Sequence, residues 1–252
     1  MILDHPTTTL RVSRATEPQE IVVTLEFEHA LDPNRVEFWT ALLDRLGECV
    51  RFGGFRLPEG DGSTMSTIRP TQAAVSSLQL EFMVSRVDPG FWRVMLNVLT
   101  AAHVYNARLR VLDVRSLALS ADMLHTAEAQ GLAYPIRPTS IPFAFHYEEP
   151  LSTTSPRIVR VQFASPTSSV RRDFMQAVLA WDELANGGFP ADGEHPFSNA
   201  CDATAIEEEG DTVIHTIPNF LGAEDAFAVV VKLAMEAHQR GAIVEELAIE
   251  EG

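Results

Sequence analysis

Residues 53–55 read Gly-Gly-Phe, and residues 187–189 read Gly-Gly-Phe again. The interval of 134 residues matters because other landmarks return at nearly the same spacing. Ile21-Val22 and Ile158-Val159 are 137 apart, Phe27 and Phe163 136, Phe38 and Phe174 136, and Ala102-His103 and Ala237-His238 135. An ordered series with drifts of one or two residues is the trace of one unit written twice, with small changes in loop length. The first expectation is therefore an internal duplication.

Working outward from Gly53, the preceding apolar residues Val36, Trp39, Leu43, Leu46 and Val50 fall three and four apart, the stripe of an amphipathic helix. Asp32-Pro33 supplies a cap and a first helical residue, and Gly53-Gly54 supplies the stop. Upstream, Thr8 to Ala15 and Ile21 to Glu28 alternate with the period of strands. Downstream come a weak strand near Thr64 to Ile68 and a clear one over Leu78 to Val84. Asp88-Pro89 opens a helix striped by Trp92, Met95, Leu99 and Ala102, and a last strand runs to about Leu117.

Around Gly187 the same order recurs. Phe143 to Tyr147 and Ile158 to Phe163 read as strands, and Ser168 or Ser169 caps a helix striped by Val170, Phe174, Val178, Trp181 and Ala185. Ala203 to Glu208 and Thr212 to Ile217 form a hairpin around Gly210. A helix follows on Phe227, Val230, Ala234 and Ala237, stopped by Gly241, and a strand on Ile243, Glu245, Leu247 and Ile249. From its second strand on, each copy reads β-α-β-β-α-β, which resembles the ferredoxin-like superfold in topology alone. The expected fold is α+β: two duplicated (β)βαββαβ units, their antiparallel sheets packed together or joined as a barrel. In each unit the extra leading strand is expected to hairpin onto its neighbour and lie at a sheet edge. The expected boundaries are a first repeat over 1–117, a helical and proline-rich connector over 118–139, and a strongly acidic second repeat over 140–252.

Composition narrows the function classes. Apolar residues at 46% and charged ones at 21% describe an ordinary globular protein. Met1 to Leu10 shows no secretory signal, and no apolar run approaches the length of a membrane span. Cys49 and Cys201 stand at positions that do not correspond between the repeats, so a disulfide framework is not expected and a reducing cytoplasm is the default. The net charge is −16, and residues 173–252 hold 17 acidic against two basic side chains, a net of −15. That surface repels phosphate, which excludes nucleic acid and anionic membrane as expected partners.

Few residues carry candidate chemistry. Gly53-Gly54 follows a helix, whereas a phosphate loop precedes one, so both Gly-Gly-Phe copies read as helix stops with a phenylalanine folded onto the core. His103, His215 and His238 are the candidate lining of a pocket between the repeats. His215 is expected to share a buried strand face with Val213 and Ile217, opposite Thr204 and Ala205. Glu194, His195, Cys201, Asp202 and His215 form the densest group of reactive types, but the hairpin register separates Cys201 from His215 by roughly 10 Å or more. No catalytic, dinucleotide or metal signature is present, so no cofactor or metal is expected and an enzyme is the less favoured reading. Glu207, Glu208, Glu209 and Asp211 crown the hairpin, and with Glu245, Glu246, Glu250 and Glu251 they suggest an acidic surface. The leading expectation is a non-enzymatic module that docks a basic protein partner there, inhibitor- or immunity-like at most. The alternative is a small-molecule binder or enzyme with a cavity between the repeats.

Overall fold

The computed structural model describes residues 7–11, 18–56, 62–88, 90–91, 94–95, 98–99, 109–116, 140–149, 151, 155–165, 168–185, 204–218 and 226–252. Among these the protein is α+β, with eleven strands in two largely antiparallel sheets and three helices. The chain divides into two compact units: Met1–Arg51 with Arg56–Leu132, and Phe52–Phe55 with Ala133–Gly252. The expected connector at 118–139 lies outside the described residues.

The first unit holds β1 (Thr7–Arg11), β2 (Gln19–Phe27), helix α1 (Pro33–Phe52) up to Arg51, β3 (Thr64–Met65), β4 (Arg69–Ala74), β5 (Ser77–Ser85) and β6 (Leu109–Ser116). Its sheet runs β1-β6-β2-β5-β3, with β4 also paired to β5. The alternation of β2 buries Ile21, Val23, Leu25 and Phe27 on one face, as the period-2 pattern requires. Asp32 caps α1, its Oδ1 accepting the Asn34 N–H at 3.1 Å, and the stripe Leu42, Leu43, Leu46, Cys49 and Val50 is buried. Gly53 ends the helix with φ 109°, and Phe55 is fully buried. Between β5 and β6, helical residues 90–91, 94–95 and 98–99 are buried. Asp88 caps them, accepting the N–H groups of Gly90 and Phe91 at 2.9 and 3.2 Å.

The second unit holds β7 (Ala144–Tyr147), β8 (Arg157–Phe163), helix α2 (Ser169–Ala185), β9 (Ala205–Glu209), β10 (Thr212–Ile217), helix α3 (Phe227–Gln239) and β11 (Val244–Glu251). Its sheet runs β7-β11-β8-β10-β9. Ser168 is the cap of α2, its Oγ accepting the Arg171 N–H at 2.9 Å, and Phe174, Ala177, Val178, Trp181 and Leu184 are buried. Helix α3 buries more than one stripe: Phe227 to Val231, Leu233, Ala234, Glu236 and Ala237 are all covered. It ends in a Schellman turn at Gly241, φ 97°, where Ala242 N–H reaches Ala237 O at 3.0 Å and Gly241 N–H reaches His238 O at 3.1 Å.

Three details depart from the sequence pattern. The leading strands do not hairpin onto their neighbours: β1 pairs in parallel with β6, and β7 in parallel with β11. Both flanks of β2 and of β8 are already taken by later strands, so the free position lies outside the last strand of each unit. Strand β4 carries the run Arg-Pro-Thr-Gln-Ala-Ala, which has no apolar alternation, and is held by backbone pairing to β5. Finally, the pairing of the last strands shifts register, at Arg110 between Glu26 and Phe27 in one sheet and at Glu245 between Phe163 and Gln162 in the other. Each extra residue is a β-bulge, which reverses the alternation, so Val244 is buried and Ile243 is 47% exposed, against the expected face.

Candidate functional site

The β9–β10 hairpin closes through Gly210 and Asp211, with Glu209 paired to Thr212. Gly210 has φ 63° in the first turn position, where a type II′ turn needs glycine. Strand β9 is the outer strand of its sheet. Glu207 and Glu209 stand opposite Ile214 and Thr212, on the open face, while Glu208 stands opposite Val213, on the helix-covered face. The open face has acid on both sides, because Glu246 and Glu250 of β11 lie opposite Gln162 and Ile158 of β8. Glu250 is taken up by Arg160.

Glu208 is held by the protein itself. Its Oε2 lies 3.1 Å from Nη2 of Arg171, a guanidinium only 2% exposed beneath the turn. Arg171 Nη1 also donates to Gly210 O at 3.0 Å, Nη2 approaches Thr212 O at 3.4 Å, and the guanidinium lies 5.2 Å from the Phe163 ring centre. Burying a guanidinium is costly unless its charge is compensated; Glu208 supplies the countercharge, and the Gly210 and Thr212 carbonyls take up Nη1 and Nη2. Arg171 thereby fixes the hairpin tip from below and leaves Glu207, Glu209 and Asp211 exposed.

His215 is 1% exposed on the helix-covered face of β10, beside Val213 and Ile217 as the alternation implies. Its register is one to two residues off the expected one, for it pairs with Ile206. Nε2 lies 3.1 Å from Oδ1 of Asp182 on α2 without the alignment of a hydrogen bond, so the contact is a close electrostatic one. The other carboxylate oxygen accepts the Thr204 hydroxyl at 2.7 Å, and the Trp181 ring meets the imidazole edge-on at 5.9 Å. Arg171 and Asp182 were not foreseen as site residues. The signal for them is their position: eleven residues apart, on the same side of α2 as Phe174 and Val178, where the stripe calls for apolar side chains.

His238 is half-buried in the last turn of α3, and its Nδ1 meets the Val244 backbone, donating to the carbonyl at 3.0 Å in one tautomer or accepting the N–H at 3.2 Å in the other. His215 sits opposite Val159 and Val244 opposite Phe163, two strands and four residues apart. At about 3.3 Å per residue and about 4.8 Å per strand that is roughly 16 Å. The two histidines do not share a site. His103, Glu194, His195, Cys201 and Asp202 lie outside the described residues. Cys49 is a buried thiol that desolvation and then the Glu48 charge push far above its ordinary range, which disfavours the reactive thiolate. Among the described residues no three His, Cys, Asp or Glu side chains gather as a metal site, and no helix is long and apolar enough to cross a membrane.

No family model matches the chain, and no curated protein matches it. Among solved structures, an unknown protein from Galdieria sulphuraria aligns over 94% of this chain and 99% of its own, at 11% identity and a TM-score of 0.24. A Cas6 product complex aligns over 91% of this chain and 95% of its own, at 15% identity and a TM-score of 0.20.

Proposed function

We propose that the protein is a non-enzymatic interaction module that docks a basic protein partner on the acidic β9–β10 hairpin. The observation that carries this reading is the placement of Glu207 and Glu209, exposed on the outermost strand of a sheet whose surrounding sequence, residues 173–252, has a net charge of −15. Carboxylates fixed on a strand steer and orient a cationic partner better than the same charges on a loose loop, since the partner does not have to order them. On this reading the sign of the charge disfavours nucleic acid as a partner, and a reducing cytoplasm is the setting it assumes.

The fold reading that accompanies it is duplication: two copies of a ferredoxin-like unit with a leading strand added, bounded near 1–117 and 140–252. Three correspondences support it. With β4 set aside, the strand orders β1-β6-β2-β5-β3 and β7-β11-β8-β10-β9 match place for place, each outer leading strand is parallel to the last strand, and the bulges at Arg110 and Glu245 fall 135 residues apart. On this reading the second copy has taken on the charge and the first has stayed near neutral, with 18 acidic and 17 basic residues over 1–172.

The test is a pull-down with the wild-type chain and with the double variant Glu207→Lys, Glu209→Lys as baits, at about 0.05 and about 0.5 M salt. A basic partner retained by the wild type at low salt and lost in either of the other conditions supports the module. Partners held equally by both baits at both salt concentrations would remove it.

A further inference from the structure

We draw no further inference here: the strongest candidate, the buried cluster of His215, Asp182 and Thr204 between β10, α2 and the start of β9, carries nothing because its groups face one another inside the core, with His215 1% exposed, and nothing in the structure shows a ligand reaching them.

Discussion

Gly53 and Gly241 close their helices in the same left-handed conformation, with φ of 109° and 97°, but differ in what stands over them. A Cβ on Gly53 would come 2.9 Å from Cγ of Glu236, within the second unit, whereas a Cβ on Gly241 meets nothing within 4 Å. Gly241→Ala should therefore cost only the backbone strain, about 1 kcal/mol, and Gly53→Ala about 2 kcal/mol or more. Paired urea titrations check the order, and equal losses would mean that Glu236 moves aside freely. Asp182→Ala removes the carboxylate from a buried imidazole and a hydroxyl together, so a loss of about 2–3 kcal/mol is expected by the same measurement. The carboxylate of Glu251 is held below its ordinary value, first by the Ser155 hydroxyl and then by the Leu151 N–H. A depressed folded-state pKa means stability that is present above the unfolded value and lost as the pH falls through the folded one. Glu251→Gln should flatten the acid limb of the stability profile below about pH 4.5 and leave its shape at neutral pH unchanged.

Helix α2 and the β9–β10 hairpin act as one element, because Arg171 on the first turn of the helix is tied to the turn carbonyls and to Glu208. Arg171→Ala should cost about 3 kcal/mol and raise amide exchange across β9 and β10. Glu208→Gln takes the countercharge from the buried guanidinium but leaves its two carbonyl partners, so it should cost less than Arg171→Ala, about 1–2 kcal/mol. If the two variants lose the same stability, the guanidinium is not the anchor of the turn. The elements themselves were largely legible in the sequence. Capped, periodic stretches such as α1 and α2 start where Asp32-Pro33 and Ser168 imply, since caps and stripes are local chemistry. Strand β4 was not legible: its order comes from pairing with β5, and Arg69 to Ala74 has no apolar face to announce it. The bulges escaped for a related reason, as an inserted residue is defined by its partner strand.

At the scale of the whole molecule the charge is the leading property. With a net −15 over residues 173–252, self-repulsion opposes compaction, and salt screens it. The thermal midpoint should rise between about 0.05 and about 0.5 M NaCl, and a fall would show that local pairs such as Arg160–Glu250 outweigh the repulsion. The sequence by itself determined the described helices and the strands other than β4, the helix stops at Gly53 and Gly241, and the burial of His215 beside Val213 and Ile217. These follow from periodicity and from the conformations that each residue tolerates, both of which act over a few neighbours. Only the tertiary structure decided that the leading strands pair in parallel with the last ones, that Glu208 rather than Glu207 and Glu209 takes the helix-covered face, and that Arg171 and Asp182 serve the hairpin and His215. Those outcomes depend on which groups meet across tens of residues of chain, where burial decides which charge must find a partner.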